Sequence, residues 1–357
     1  MNISIDCRMI DASGVGVYLR GCLPYLLDTP HRFMLLGDAE KLRSIGKNRH
    51  NTEILHCTIK PFSIRELLAF PPALQRTINQ TDLFYTPYFN IPGGITVPVY
   101  TTIHDIIFPD MPELTSKTGL AVRMWCYRRA YRRSQTIFTV SLFSQSRIAL
   151  HLGSNTRVMV THSAIQPYFL QDNAMTPVEK KEIILFIGNI KKHKGLSVLL
   201  DAFGNARREG LPHKLVIIGE KHNFRSKDTA SFERLNSAGA SLVEFTGFIS
   251  DEELKWLLAR AALLVQPSLY EGFGLPPLEA MTVGTRALIS DIPVFKEIYG
   301  EFPVTFFRSG DSKDLKEKLT ALLQHKKAET LVLPEPLRTK YTFEKTASII
   351  VRELTGG

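Results

Sequence analysis

Residues 182–203, EIILFIGNIKKHKGLSVLLDAF, contain the pattern that decides the fold. The apolar run EIILFIG has the length and the β-branched content of a buried strand, whereas LSVLLDAF repeats its apolar residues at helical spacing. The loop NIKKHKG, with three lysines and a glycine, joins the two segments. A strand, a loop and a helix in this order form the repeating unit of a parallel sheet covered by helices, so the stretch predicts an α/β fold.

The same alternation continues on both sides of this stretch. Downstream, KLVIIG, SLVEFTG, ALLVQPS and TRALISD are predicted strands, and Ser250 with Glu253 has the capping-box pattern that opens a helix. Upstream, NISIDC, RFMLLGD, TEILHC, DLFYTP, VPVYTTIHD and QTIFTVS form a second series. Because the two series are separate, we expect two Rossmann-like domains that face each other across a cleft.

The length of the chain supports this division, since 357 residues exceed what one hydrophobic core usually holds together. The predicted N-terminal domain covers residues 1–170, and the predicted C-terminal domain covers residues 175–337. A hinge is expected at 171–178, where QDNAMTPV loses apolar periodicity. A C-terminal helix within 338–357 is expected to cross back to the first domain.

The composition excludes several classes of protein. Hydrophobic residues make up 44% and charged residues 22%, which is typical of a soluble globular protein. The N-terminus MNISIDCRMI lacks the basic start and apolar core of a signal peptide, so we expect a cytoplasmic protein. No C-x-x-C pair occurs, which argues against a zinc site and a disulfide framework and predicts reduced, mostly buried cysteines at Cys7, Cys22, Cys57 and Cys126.

The net charge of +9 favours anionic partners. Part of the excess lies in one segment where five arginines alternate with apolar and aromatic residues: Arg123, Arg128, Arg129, Arg132 and Arg133. This pattern predicts a basic amphipathic helix that contacts the inner face of the cytoplasmic membrane, with an ordinary solvated helix face as the alternative. Nucleic acid is not an expected partner, because no aromatic-interleaved basic groove occurs outside this segment.

The stretch EGFGLPPLE at 271–279 follows the predicted strand ALLVQPS. Its carboxylates, Glu271 and Glu279, can accept hydrogen bonds from hydroxyls, and its glycines expose backbone that could bind an anion at the start of the next helix. A ligand with vicinal hydroxyls beside phosphates, such as a nucleotide sugar, meets both requirements. A hydrolase with paired carboxylates is the alternative, and the surrounding lysines and glycines disfavour it because they suit negative charge.

A second candidate site lies in the loop GNIKKHKG at 188–195, between a strand and a helix. Lys191, Lys192 and Lys194 add their charges to the helix dipole there, which favours a diphosphate over an ordinary solvated turn. The spacing does not match a P-loop, because no G-K-[ST] sequence occurs.

Two further candidates lie in the first half. Gly14 and Gly16 follow the first strand and precede a predicted helix, where they could admit a phosphate or a substrate, or form a tight turn. NAD binding is disfavoured because residue 19, where the dinucleotide fingerprint has its third glycine, is Leu19. His104 closes the run VPVYTTI and could contact a hydroxyl or transfer a proton, although a structural role is the alternative.

These motifs together resemble those of the family-four retaining glycosyltransferases of the GT-B fold, and in particular their mannosyltransferase-like subgroup. EGFGLPPLEAM resembles the family's E-x7-E motif, and GNIKKHKG resembles its donor-phosphate loop. TGFISDEELKWLLARAALLVQPS resembles the segment before the motif, whereas TIHDIIFPDMPE and TVSLFSQS resemble motifs of the N-terminal domain. The resemblance covers nearly the whole chain.

The resemblance implies a role for each matching residue. Glu271 would contact the hydroxyls of the donor sugar, Glu279 would hold the nucleotide ribose, and Lys194 would neutralise the leaving diphosphate. His104 would contact the sugar near the reacting carbon, as a positioner and charge stabiliser. The other implied donor-binding residues are Gly14, Gly16, Asn189, Lys191, Gly272, Phe273, Gly274 and Leu275.

The resemblance also implies a reaction: transfer of a hexose, mannose favoured, from a nucleotide-diphosphate sugar, GDP-mannose favoured, to a polysaccharide or lipid-linked saccharide such as a lipopolysaccharide precursor. No D-x-D pair occurs, so neither a metal nor another cofactor is expected. Two departures stand out: Asn189 occupies a position where many members carry arginine, and VMVTHSAIQP lacks the usual hinge sequence. A sugar-nucleotide epimerase of the same fold is the alternative.

Overall fold

The computed structural model describes residues 1–46, 49–171, 179–219, 242–324 and 330–356. The chain divides into two compact units, Met1–Gln166 with Tyr341–Gly357, and Pro167–Lys340. The predicted hinge at 171–178 lies, except for Gln171, outside the described residues. Within the described ranges, no helix has the length and apolar content needed to cross a membrane.

Each unit contains one parallel sheet. The first unit has seven strands in the order β3-β2-β1-β4-β5-β6-β7: β1 (Asn2–Asp6), β2 (Arg32–Gly37), β3 (Thr52–His56), β4 (Leu83–Thr86), β5 (Val99–Thr102), β6 (Ser134–Thr139) and β7 (Arg157–Val160). The second has six in the order β10-β9-β8-β11-β12-β13: β8 (Lys181–Ile187), β9 (Lys214–Ile218), β10 (Val243–Gly247), β11 (Ala261–Gln266), β12 (Ala287–Ser290) and β13 (Thr305–Phe307).

Helices connect these strands, as the sequence pattern predicts. Along the described chain they are α1 (Ser13–Leu27), α2 (Ala39–Gly46), α3 (Ile64–Leu68), α4 (Pro72–Ile78), α5 (Ile107–Asp110), α6 (Lys117–Arg133), α7 (Leu142–Leu152), α8 (Pro167–Leu170), α9 (Leu196–Arg208), α10 (Asp251–Arg260), α11 (Pro276–Thr282), α12 (Pro293–Tyr299), α13 (Ser312–Leu323), α14 (Glu335–Arg338) and α15 (Phe343–Thr355). The capping box at the start of α10 is present, with Ser250 and Glu253 each bonding the backbone of the other.

The burial of the strands explains their composition. Every residue of β11 is buried, because helices cover both faces of a parallel sheet and leave no polar face. The four cysteines are likewise buried and unpaired, as expected. The C-terminal helix α15 belongs to the first unit, where a Cβ added to Gly21 of α1 would lie 2.2 Å from the ring of Phe343.

The strand order places one ligand-binding edge in each unit. In the second sheet the order reverses between β8 and β11, so the loops that follow these two strands lie side by side at the carboxyl edge of the sheet. In the first sheet the same reversal occurs between β1 and β4. Open parallel sheets bind ligands at such positions, because the adjacent loops diverge to opposite faces and leave a crevice.

Candidate active site

The loops after β8 and β11 touch each other directly. Gly195 has a φ of +66° and ends the 3-10 turn Lys192–Lys194, and a Cβ added to it would lie 1.9 Å from the backbone oxygen of Pro267. The amide of Leu269 donates to the carbonyl of His193 at 2.7 Å. Only glycine fits at residue 195, both for its backbone conformation and for this close approach.

Lys194 and Glu271 form a partly buried ion pair across this contact. The Lys194 ammonium lies 2.7 Å and 2.8 Å from the two carboxylate oxygens of Glu271. The hydroxyl of Ser268 donates to the same carboxylate at 2.7 Å, and the amide of Gln266 donates to that hydroxyl at 3.1 Å. Burial alone would raise the pKa of Glu271, but the charge of Lys194 and the bonds from Lys194 and Ser268 outweigh it and lower this pKa. Glu271 is therefore ionised at neutral pH.

Glu279 is the second carboxyl group of the predicted motif, and it lies in α11. Its residue is 8% exposed, and among the residues that the structure describes no group donates a hydrogen bond to its side chain. Burial, with a smaller contribution from the charge of Asp251, raises its pKa to about 7. A buried carboxyl group without a donor is costly, so the site suits a ligand that brings hydroxyls to it.

The remaining residues of the lysine loop surround this pair. Burial and the neighbouring charge of Lys194 lower the pKa of His193 to about 4, so its imidazole is neutral. Asn189 is half-buried, and Lys191 and Lys192 are exposed. In the described chain no ion pair engages Lys191 or Lys192, so their charge is available to a ligand. Asn189 lies directly after Gly188, at the carboxyl end of β8.

The loop before α11 is fixed by packing. Gly274 has a φ of +83°, a Cβ added to it would lie 2.4 Å from the ring of Phe295, and the hydroxyl of Tyr299 donates to its carbonyl. Phe273 is only 4% exposed, so its side chain is part of the core. The glycine at 274 is thus required by α12, which the sequence did not indicate. Ligand binding by the backbone of Gly272, Phe273, Gly274 and Leu275 stays a prediction.

In the first unit, Gly14 and Gly16 lie in the first turn of α1. The sequence had predicted that they precede this helix. A Cβ added to Gly16 would lie 2.4 Å from the backbone oxygen of Ile10, so this glycine is required by the packing of the preceding turn. A Cβ added to Gly14 would meet no atom within 4 Å in the described part of the chain, and Gly14 is exposed. Of the two, only Gly14 leaves room for a ligand against the backbone.

His104 follows β5, at the carboxyl edge of the first sheet. Its Nε2 bonds the carbonyl oxygen of Pro87 at 2.9 Å, and its ring meets the ring of Tyr18 edge-on at 4.9 Å. Burial lowers its pKa to about 4, although the bond to Pro87 opposes this shift. Because Nε2 must carry the hydrogen to donate to a carbonyl, Nδ1 is an acceptor. The ring is neutral at physiological pH, which favours the predicted positioning role over the charge-stabilising one.

Comparison with known proteins decides the class of the second unit. Residues 170–332 match the family model described as glycosyl transferases group 1. The second unit is a group 1 glycosyltransferase domain.

Three curated relatives are similar to part of this chain. O-antigen chain mannosyltransferase B of Escherichia coli is 27% identical over 231 residues, which are 61% of this chain and 59% of the relative. O-antigen chain mannosyltransferase RfbU of Salmonella typhimurium is 28% identical over 202 residues, 55% of this chain and 53% of that one. GDP-mannose:cellobiosyl-diphosphopolyprenol alpha-mannosyltransferase of Komagataeibacter xylinus is 25% identical over 170 residues, 48% of this chain and 41% of that one. The match thus spans 59% or less of each of these relatives.

Solved structures share the fold over the full length. Sucrose-phosphate synthase from Thermosynechococcus elongatus superposes with a TM-score of 0.75 at 17% identity and covers 100% of this chain and 99% of its own. Anabaena HepE in complex with UDP-glucose superposes with a TM-score of 0.72 at 17% identity and covers 100% of both chains. The fold of the chain is therefore GT-B, with two Rossmann-like α/β units, as the sequence predicted.

The predicted arginine helix, α6, differs from its expected form. Arg123 donates to the hydroxyl of Thr115 and the carbonyl of Gly119, and Arg129 and Arg133 donate to backbone carbonyls within 91–95. These three guanidinium groups therefore form hydrogen bonds within the protein itself, and the membrane contact predicted for this segment stays a prediction. Arg128 and Arg132 are exposed, on the same side as Val122 and Trp125, which are 61% and 51% exposed.

Sequence reasoning missed the groups that hold Glu271 in place. Ser268 and Gln266 are fully buried, and their hydrogen bonds lead from the end of β11 to the carboxylate. The available signal was the polar sequence Q-P-S directly after a buried apolar run, since buried polar side chains at a strand end are hydrogen-bonded. The carboxylate of Glu271 is thus positioned by its own strand as well as by Lys194.

Proposed function

We propose that the protein is a retaining hexosyltransferase that moves a hexose, mannose favoured, from a nucleotide-diphosphate sugar to a polysaccharide or lipid-linked saccharide. The observation that carries the proposal is the partly buried Lys194–Glu271 pair at the switch point of a group 1 glycosyltransferase domain. The names of the three mannosyltransferase relatives support the preference for mannose, and the GDP-mannose in one of them supports GDP-mannose as the donor.

The pair can serve both halves of such a donor. The Lys194 ammonium would neutralise the leaving diphosphate, and the ionised Glu271 would accept hydrogen bonds from hydroxyls of the sugar. Since Ser268 also binds Glu271, the carboxylate keeps its orientation when Lys194 turns toward phosphate. The charge of Lys194 would contribute more as the bond to the leaving group breaks, because negative charge on the diphosphate increases in the transition state.

Glu279 would bind the ribose of the nucleotide. Its buried carboxyl group accepts no bond from the described protein, and a ribose presents two vicinal hydroxyls that could donate to one carboxylate. Donors stabilise the ionised form, so ribose binding would lower the pKa of Glu279 from about 7 and release part of a proton at neutral pH.

The reaction is also proposed to need neither a metal ion nor a cofactor. Positive charge for the diphosphate would come from Lys194, from the exposed Lys191, and from the N-terminal end of α9, a helix of 13 residues. If transfer requires a divalent cation, a chelator will abolish it and an added cation will restore it, and this part of the proposal will then be wrong.

The place of action is proposed to be the inner face of the cytoplasmic membrane. The exposed side chains of Val122, Trp125, Arg128 and Arg132 along α6 combine apolar groups with positive charge, which suits an anionic lipid surface. A lipid-linked acceptor would be presented on that surface.

A donor screen followed by product analysis tests the function. Purified protein is incubated with GDP-mannose, UDP-glucose and related donors, with and without membrane extract as the source of acceptor, and the sugar products are separated. We expect hexose transfer from GDP-mannose, with Glu271→Gln and Lys194→Ala each reducing the rate at least about 100-fold. Failure of every donor to react would refute the proposal, and conversion of the donor without an acceptor would identify an epimerase instead.

A further inference from the structure

Residues 60–73, called here the strap, follow the carboxyl end of β3 and include α3. They carry the most exposed of the large apolar side chains described in the first unit, with Leu68 at 84% and Ile64 at 77%. Phe62 adds a side chain that is 39% exposed. Isolated exposed apolar residues need no explanation, but two on consecutive turns of one short helix form a patch that does.

The strap is held firmly, so the exposure of these residues does not result from fraying. Arg8 donates to Asp6 at 2.9 Å, to the carbonyl of Ile59 at 3.1 Å and to Glu66 of α3 at 2.5 Å. Glu66 also accepts from the amide of Phe62 at 2.6 Å. The side chains of Arg8 and Glu66 are 2% and 0% exposed. These buried ion pairs therefore hold α3 in place, and the side chains of Ile64 and Leu68 on α3 are exposed to water.

The strap and α6 lie against the same segment of chain, 88–95. The amide of Gly93 donates to the carbonyl of Glu66 at 2.9 Å, so α3 rests on Gly93. Arg129 of α6 donates to the carbonyl of the adjacent Pro92 at 3.3 Å. The ring of Phe89 lies 4.9 Å from that of Phe62 and 4.2 Å from that of Tyr127, which again joins the strap to α6.

The charges around this patch have one sign. In the segments 57–81, 87–95 and 117–133 the only carboxyl side chain is that of Glu66, which pairs in the interior with Arg8, the partner that it shares with Asp6. The same segments carry these exposed basic side chains: Lys60, Arg65, Arg76, Lys117, Arg128 and Arg132. Apolar side chains amid basic ones match the acyl chains and the anionic headgroups of a lipid bilayer.

We infer that the strap is a second membrane anchor, which inserts Ile64 and Leu68 into an anionic bilayer while Lys60 and Arg65 contact the lipid phosphates. The inference rests on the proposed membrane contact of α6 and extends it to a separate element. With two anchors, the orientation of the first unit on the bilayer is defined, because one helix alone leaves rotation about its own axis free.

Vesicle sedimentation with the full chain tests this inference. Wild type is mixed with vesicles of phosphatidylcholine alone, or of phosphatidylcholine with phosphatidylglycerol, and the bound fraction is measured. We expect binding to the anionic vesicles, weakened by salt, and a loss of at least about tenfold in the Ile64→Ser/Leu68→Ser double variant. The matched control is Leu142→Ser/Leu150→Ser, which removes leucines of α7 that are 58% and 64% exposed and is expected to bind as wild type.

A fluorescent label on the strap reports its insertion into the bilayer independently of the affinity for vesicles. Because all four native cysteines are buried, Leu68→Cys can be labelled selectively with a polarity-sensitive dye. We expect its emission to shift to the blue on anionic vesicles, whereas the same label on Leu150→Cys should not respond.

The outcomes separate the strap from the proposals on which it rests. If the strap double variant binds as wild type while Trp125→Ser loses binding, α6 is the only anchor and the inference is wrong. If wild type binds no vesicle but still transfers hexose to a soluble acceptor, the membrane contact fails and the transferase function stands. If the double variant instead converts a dimer into a monomer without changing vesicle binding, the patch is an interface between copies, which also overturns the inference.

Discussion

Gly195 is expected to tolerate no side chain, and Gly195→Ala tests the direct contact between the loops after β8 and β11. Two costs add in this variant. Alanine at a φ of +66° costs about 1–2 kcal/mol, of which roughly 0.4–1 kcal/mol is offset because alanine also restricts the unfolded chain. The new Cβ would then lie 1.9 Å from the oxygen of Pro267, and relieving such an overlap costs about 1–3 kcal/mol.

Gly247 provides the matched control in the same unit. Its φ of +71° is nearly the same, but a Cβ added there would meet no atom of the described residues within 4 Å, so we expect Gly247→Ala to carry only the first cost. In a unit of this size, 1 kcal/mol corresponds to about 2–4 °C in Tm. The two variants therefore differ by the overlap cost of about 1–3 kcal/mol, and we expect Gly195→Ala to lower the Tm by roughly 2–12 °C more than Gly247→Ala does.

Nucleotide binding provides the second measurement. Since Pro267 lies three residues before Tyr270 and four before Glu271, a shift of its carbonyl displaces the carboxylate that Lys194 contacts. Calorimetric titration with GDP should therefore show weaker binding for Gly195→Ala and unchanged binding for Gly247→Ala. Equal losses of Tm in the two variants, or full nucleotide affinity in Gly195→Ala, would refute the reasoning.

Three further predictions concern single groups. Ser268→Ala removes a hydrogen-bond donor to Glu271, so we expect the pKa of Glu271 to rise. The acid limb of the pH–rate profile should then move to higher pH. Ser268→Thr keeps the hydroxyl and should return this limb to its wild-type position. An unmoved limb would assign Ser268 a purely structural role. GDP binding at pH 7 should release part of a proton from Glu279, which is detected as a calorimetric enthalpy that depends on the buffer. Glu279→Gln should remove this dependence. If the dependence persists in the variant, Glu279 is not the group that binds the ribose. Gly16→Ala should destabilise the first unit by about 1–3 kcal/mol in denaturant unfolding, because its Cβ meets the carbonyl of Ile10, whereas Gly14→Ala should not; equal effects would argue against the placement in α1.

The sequence predicted the α/β class and most of the strands because these depend on local periodicity. Fully apolar runs such as that of β11 indicate strands that are buried on both sides, because helices cover both faces of the sheet. The start of α1 was harder to predict. Its N-cap residue, Ala12, has no side chain that could bond the first turn, so the sequence carried no start signal and Gly14 and Gly16 were placed before the helix.

What the sequence could not show are contacts between residues far apart along the chain. The carbonyls that engage Arg129 and Arg133 lie 37 or 38 residues upstream, so the arginine pattern alone could not distinguish internal hydrogen bonds from a membrane face. The same holds for Gly195, which was recognised as part of an anion-binding loop although the contact that requires glycine is with Pro267. Motif spacing identified Lys194 and Glu271 separately, and only the sheet order brought them together.

The pairing of Lys194 with Glu271 also limits which ligands the site can bind well. Without a ligand the two charges compensate each other, so any ligand that engages one must also satisfy the other. A nucleoside diphosphate would attract Lys194 and leave the buried carboxylate with Ser268 alone, whereas a free hexose would offer hydroxyls to Glu271 but nothing to Lys194. A nucleotide sugar provides phosphate oxygens for the ammonium and hydroxyls for the carboxylate at the same time. We therefore expect the ion pair to favour the intact donor over either of its parts, because an unpaired charge in the interior is costly.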